Sequence, residues 1–289
     1  MFTISNQILE VVITSQGAEL ESIKHKENGI DYLWNGDPDF WPKKSPALFP
    51  IVGGLKDTQY QFANKSYSLG RHGFARENVY EVTAQSTNSI RFSLKENANT
   101  LAAYPFAFVF SIEYTVTENK LFVKYIVENT GAEDLYFSVG AHPAFNVPLV
   151  KGTSYDDYYL KFEQKETVGK YPLSAEGLVE LAPIPFLENR DTLALTKSLF
   201  YGDALVFKEL KSNSIGILSN KTPHGLTVHY TNFPYMGIWS FKDADFVCIE
   251  PWCGIADAVN TTGELTEKEG IEKLGPQQVF TREWWVELF

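Results

Sequence analysis

Positive charge is in short supply: 25 Lys and Arg stand against 36 Asp and Glu, a net charge of −11. Such a surface repels phosphate backbones and anionic headgroups, so neither nucleic acid nor a membrane surface is expected as a partner. Cysteine is nearly absent. Cys248 and Cys253, close together in CIEPWC, are too few for a disulfide framework and lack the second ligand pair that a zinc site needs; buried free thiols are expected, and no metal. There is no run of 18 apolar residues, and the N-terminal MFTISNQILEVVITSQGAEL carries no basic region, long apolar stretch or small-residue cleavage site. A cytoplasmic protein is expected. Gly/Ser-rich and Pro-rich linkers, low-complexity tracts and fixed-period repeats are missing as well, which predicts one domain over residues 1–289. No amphipathic 3.6-residue pattern exceeds about three turns and strands do not alternate with helices, which excludes a helical bundle or a doubly wound parallel sheet.

What is abundant is aromatic: 21 Phe, 15 Tyr and 6 Trp supply apolar surface for a sizeable core. The recurring pattern has period two. In PFAFVFSIEYTVTENKLFVKYIVENTG, Phe106, Phe108, Phe110, Ile112, Tyr114 and Val116 fall on one face, a polar turn follows at Thr117 to Lys120, and Leu121, Val123, Tyr125 and Val127 resume the alternation. This predicts an antiparallel hairpin. Further strands are predicted at 8–14, 59–69, 78–84, 89–95, 134–140, 203–208, 214–219, 225–230, 235–240, 246–250 and 277–287, from β-branched and aromatic enrichment between turn signals such as Asn28-Gly29 and Thr262-Gly263. Residues 150–202 lack such regularity and are expected to form long loops. The fold class is all-β, a large antiparallel β-sandwich.

Three clusters place titratable side chains inside apolar strand patterns. In Leu69-Gly70-Arg71-His72-Gly73-Phe74-Ala75-Arg76, glycines flanking the histidine let the backbone bring its imidazole close to a ligand. In Val139-Gly140-Ala141-His142-Pro143-Ala144-Phe145-Asn146, a histidine ends a strand among small neighbours. In Phe246-Val247-Cys248-Ile249-Glu250-Pro251-Trp252, a carboxylate ends an apolar strand, where it is costly unless paired or used. Taken singly, a strand-end histidine is more often structural than catalytic, and Glu250 could equally sit in a buried salt bridge to an arginine. Together they suit one chemistry. A reaction at a hemiacetal needs one group to take the C1 hydroxyl proton and another to protonate the ring oxygen, and a carboxylate with a histidine supplies that pair. A sugar ring also wants an aromatic face, from Trp252, Phe74 or Trp34.

The motifs SPALFPIVGGLKD, YSLGRHGFAR, GAHPAFNVP and CIEPWCGIADAVN, in that order over most of the chain, resemble those of the aldose 1-epimerase (galactose mutarotase) family, and more closely its divergent bacterial mutarotase-like branch. The resemblance implies a β-supersandwich, no cofactor, and roles by position: His72 as a sugar-binding histidine, His142 as general acid on the ring oxygen, Glu250 as general base on the C1 hydroxyl, and Asp203 in LFYGDALVF as the aspartate that holds sugar hydroxyls. Three positions depart from the family pattern. Gly53-Gly54-Leu55-Lys56-Asp57 stands where an arginine is usual, leaving Lys56 as its substitute; Pro251-Trp252 follows the glutamate; Pro143 follows His142 in place of a serine.

The expected function is therefore interconversion of the α and β anomers of an aldohexose, with a small-molecule sugar as partner. Arg71 and Arg76 raise a second possibility, a hexose 6-phosphate held in bidentate fashion, unless these guanidiniums pair with Glu77 and Asp57. A sugar-binding protein without catalysis is the third, although binding alone would not need both His142 and Glu250.

Overall fold

The computed structural model describes residues 1–289. The hairpin read from Phe106 to Val127 forms as the strands Phe108–Thr117 and Lys120–Asn129, with Phe108 opposite Asn129 and Thr117 opposite Lys120. Its apolar face is buried because every second side chain points the same way. These two strands lie within a nine-stranded antiparallel sheet that runs in space from Ile184–Ala194 at one edge, through Tyr158–Lys170, Ser214–Ser219, Leu226–His229 and Val279–Leu288, to the hairpin and on to Ser89–Lys95 and Glu81–Gln85. A five-stranded sheet faces it across the core. There Phe246–Cys253 is central: Tyr235–Trp239 pairs along one side and continues to Leu205–Lys208, while Val139–Gly140 and Ala144–Asn146 pair along the other. One core cluster of 63 buried residues draws on both sheets and on positions from Ile4 to Leu288. The architecture is the antiparallel β-sandwich expected, with a single six-residue α-helix, Ala98–Ala103. No helix is long and apolar enough to cross a membrane.

Residues 150–202 correct the sequence reading. Instead of loops they contain the longest strand, Tyr158–Lys170, paired with Ile184–Ala194. Tyr158, Leu160 and Phe162 alternate inward, but from Glu163 onward the pair is largely exposed on both faces and its register shifts three times. A bulged edge ribbon with two wet faces has no periodic pattern to read. The predicted strand 59–69 is two, Gln59–Phe62 and Lys65–Ser68, because Ala63 and Asn64 both take positive φ (50° and 60°) and close a two-residue hairpin. The predicted strand 134–140 also divides, Leu135–Phe137 pairing with Glu272–Leu274 and Val139–Gly140 joining the central strand. Strands Phe2–Ser5 and Leu20–His25, which lie outside the predicted set, complete a three-stranded sheet with Leu9–Ile13.

Candidate functional site

The strand Phe246–Cys253 is buried along its whole length, so its alternation is visible only in what each residue touches. Val247, Ile249 and Cys253 enter the main core, whereas Phe246 and Cys248 belong to one satellite apolar cluster and Trp252 to another. Glu250 falls between these two clusters on the face turned away from the main core. The adjoining strand is interrupted opposite it. Gly140 pairs with Trp252 and Ala144 with Cys248, and the three residues between them carry His142 to the place across from Glu250. The Ala141 N–H donates to the Pro251 carbonyl at 3.0 Å and holds the gap in register.

His142 Nε2 lies 3.3 Å from Glu250 Oε2, and the two residues are only 8% and 2% exposed. Burial drives both towards their uncharged forms: it brings the His142 imidazolium pKa down to about 3 and pushes the Glu250 carboxyl well above the usual carboxylate range. The Trp252 indole opposes the rise at Glu250 and the Asp203 charge adds to it, while Arg76 disfavours charge on His142. The pair therefore holds one transferable proton between two basic atoms in hydrogen-bonding range.

His72 approaches from a turn. It has φ +68°, in the left-handed region, and its backbone N–H donates to the Gly53 carbonyl at 2.8 Å. The Gly53 N–H in turn donates to His72 Nδ1 at 3.0 Å, which fixes the tautomer with the proton on Nε2. Gly53 cannot be replaced: its φ is +73° and a Cβ there would lie 2.4 Å from that of Ala256. The His72 and His142 rings meet edge to face at 5.7 Å. Burial, the neighbouring His142 and the two arginines all keep His72 neutral.

His72, His142 and Glu250 line one open cleft of about 670 Å³, together with Asp203, Arg71, Arg76 and Trp252. The sequence thus marked residues that tertiary folding brings to one place. Asp203 reaches it from a turn with φ +85°, its Oδ1 engaged by the Ala204 N–H at 2.7 Å. Trp252 fits because Gly237 on the next strand has no side chain; a Cβ there would be 2.3 Å from the indole. Neither arginine forms an ion pair. Glu77 and Glu19 act on Arg76 only at a distance, and its Nη2 donates to the Arg71 carbonyl at 2.9 Å, while Arg71 Nη2 reaches the Glu176 carbonyl at 3.4 Å.

Lys56 does not belong to this cleft. Its side chain lines a separate polar depression beside Gln59 and Thr261, and its backbone N–H donates to Asp257 Oδ2 at 3.0 Å. Two of the aromatics considered for the sugar face also lie elsewhere: Phe74 leans on the main core, and Trp34 is buried behind the wall with its indole N–H donating to the Trp41 carbonyl at 2.9 Å. The side chain that sequence reasoning missed is Trp41. Its ring stacks on His142 at 4.8 Å and 27°, and Trp239 meets the same imidazole edge to face at 5.6 Å. Trp41 lies in an irregular segment with no alternation to mark its direction, although the tryptophan-rich run to which it belongs was the available signal.

Cys248 is free and buried, with its sulfur within 4.8 Å of donor atoms on His142 and Glu250. This His/Cys/Glu group has the spacing to hold a cation, and in the metal-free site burial raises the thiol pKa well above its usual value.

A family model described as Aldose 1-epimerase matches residues 1–271. Protein LacX, chromosomal, of Lactococcus lactis subsp. lactis is 35% identical over 284 residues, which are 94% of each chain. A galactose mutarotase related enzyme from Lactobacillus acidophilus superposes with a TM-score of 0.95 at 35% identity, covering 100% of this chain and 97% of that one. A galactose mutarotase-like protein from Lactobacillus casei gives 0.92 at 30% identity, covering 100% of both.

Proposed function

The chain belongs to the aldose 1-epimerase family, and on that premise we propose that it interconverts the α and β anomers of a free aldohexose, with His142 and Glu250 as the acid/base pair. The observation that carries this reading is the 3.3 Å contact between His142 Nε2 and Glu250 Oε2 at the wall of the cleft. With the shared proton on His142, Glu250 takes the proton from O1 as the C1–O1 bond becomes a carbonyl. The C1–O5 bond breaks, and its electron pair accepts the proton from His142 Nε2. Rotation about C1–C2 and closure with the roles reversed give the other anomer, and the pair returns to its starting protonation. Burial favours the uncharged form of the pair, with the proton on Glu250, so the step draws on the form in which that proton has moved to His142 across the 3.3 Å contact.

His72 Nε2–H serves as a donor to a sugar oxygen, because Gly53 occupies the other ring nitrogen. Asp203 has one oxygen left for sugar hydroxyls, and Trp252 offers an apolar face. The 63-residue core, which draws on both ends of the chain, supports reading residues 1–289 as one domain. A hexose carrying a 6-phosphate is the second reading, favoured by one observation: Arg71 and Arg76 line the cleft without an acidic partner in ion-pair range. Polarimetry of freshly dissolved α-anomers, free and 6-phosphorylated, tests both. Acceleration over the spontaneous rate is expected with the free sugar; binding of sugar without any acceleration would leave a sugar-binding protein instead.

A further inference from the structure

We propose that His142, Cys248 and Glu250 form a binding site for a soft divalent cation of the zinc type, and that the bound cation shuts off the chemistry of the cleft. The inhibition rests on the reading of His142 and Glu250 given above; the binding does not.

Cys248 and Glu250 are two residues apart on the strand Phe246–Cys253, so both side chains leave it on the face turned away from the main core. The interrupted strand opposite brings His142 over the same place, and one donor atom from each of the three lies within 4.8 Å of the other two. In a tetrahedral site with metal–nitrogen and metal–oxygen bonds of about 2.0–2.1 Å and a metal–sulfur bond of about 2.3 Å, the nitrogen and oxygen stand about 3.3 Å apart and the sulfur about 3.6 Å from each. His142 Nε2 and Glu250 Oε2 are already 3.3 Å apart. The sulfur has to travel only about 1 Å, which a small rotation about the Cα–Cβ bond of Cys248 supplies. Ala144, opposite Cys248 in the ladder, leaves it room, and Trp41 and Trp239 hold the imidazole in place at 4.8 and 5.6 Å.

Charge points to the class of ion. On entering, the cation displaces the thiol proton of Cys248 and the one proton shared by His142 and Glu250. Both protons pass to water, and bonds form from the metal to a thiolate, a neutral imidazole and a carboxylate. Two positive charges then meet two negative ligands, so the buried site carries no net charge, as a low-dielectric position requires. Thiolate with imidazole favours zinc and its soft relatives over magnesium or calcium. His142 and Glu250 line the cleft, which leaves the fourth corner open to it. With the proton gone and both members of the pair bound, neither can exchange a proton with a sugar.

The test titrates metal-free protein with zinc chloride and, for a spectrum, with cobalt(II) chloride, in the parent, Cys248→Ala and Cys248→Ser. Cobalt(II) should give a thiolate-to-metal charge-transfer band in the near ultraviolet that saturates at one equivalent, and both substitutions should abolish it. Zinc should slow mutarotation by the parent about a hundredfold or more, the worth of an acid/base pair, and EDTA should restore it. In each variant the ratio of rates with and without zinc should approach one. Absence of the band, a band that survives Cys248→Ala and so belongs to Cys253, or equal inhibition of parent and variants would overturn the site. A metal-free parent without mutarotation would overturn the proposed reaction, while the cobalt band would still decide whether the three side chains bind a cation.

Discussion

His142 and Glu250 stand opposite one another across a three-residue gap in a strand pairing, with Gly140 opposite Trp252 on one side of the gap and Ala144 opposite Cys248 on the other, and their functional atoms end 3.3 Å apart. The register of the two short strands that bracket the gap sets this distance. A segment pinned at both ends is far stiffer than a free loop, which suits a pair that must exchange a proton.

Glu250→Gln keeps the shape of the side chain and removes the base. The mutarotation rate should fall about a hundredfold to ten-thousandfold with little change in sugar affinity. His142→Asn should cost a similar factor, and the double variant little more, since the two act as a unit. A Glu250→Gln protein with parental turnover would remove the carboxylate from the mechanism.

The pH profile carries a second expectation. In its active state the pair holds one proton. Burial lowers the His142 pKa from 6.5 to about 3 and raises that of Glu250 well above the usual carboxylate range. The profile of kcat/KM, corrected for spontaneous mutarotation, should show no step at the ordinary carboxylate value of 4.5 and should fall at higher pH, as Glu250 loses the last proton. A step at about 4.5 would mean that Glu250 titrates as a solvated carboxyl.

Arg76→Ala separates the substrates. For a free hexose, kcat/KM should change only a few fold and be indifferent to salt. A 6-phosphate that depended on Arg76 would lose about 1.5–3 kcal/mol of binding and weaken with ionic strength. A strong, salt-sensitive preference for the phosphorylated sugar that vanishes in Arg76→Ala would replace the free aldose as substrate.

A fourth expectation concerns the support of His72. Asp257 is buried, accepts the Lys56 N–H at 3.0 Å and pairs with the equally buried Lys268 Nζ at 2.7 Å, and its own N–H donates to the Gly54 carbonyl at 2.9 Å. The pair thereby holds the loop whose Gly53 fixes the His72 tautomer. Lys268→Met would strand the Asp257 carboxylate and should lower stability in urea by about 3–5 kcal/mol. Adding Asp257→Asn should recover part of that loss. An unchanged urea midpoint in the single variant would mean that water reaches the carboxylate.

The sequence by itself determined the fold class, because alternation with period two is a local property that survives wherever one face of a strand is buried and the other is not; the Phe108–Thr117 hairpin shows it at full length. It also marked His72, His142 and Glu250, since a titratable group in an apolar or glycine-rich setting is anomalous on its own. The edge ribbon Tyr158–Lys170 and Ile184–Ala194 escaped it because only Tyr158, Leu160 and Phe162 alternate inward, and beyond Glu163 the pairing is made by backbone bonds between two largely wet faces. Only the tertiary structure decided that the marked residues share one cleft, that Lys56 turns its side chain away, and that Trp41 stacks on His142. Those are matters of which distant strands become neighbours and which way an irregular segment turns. Both are settled by the packing of the whole core, and no local pattern encodes them.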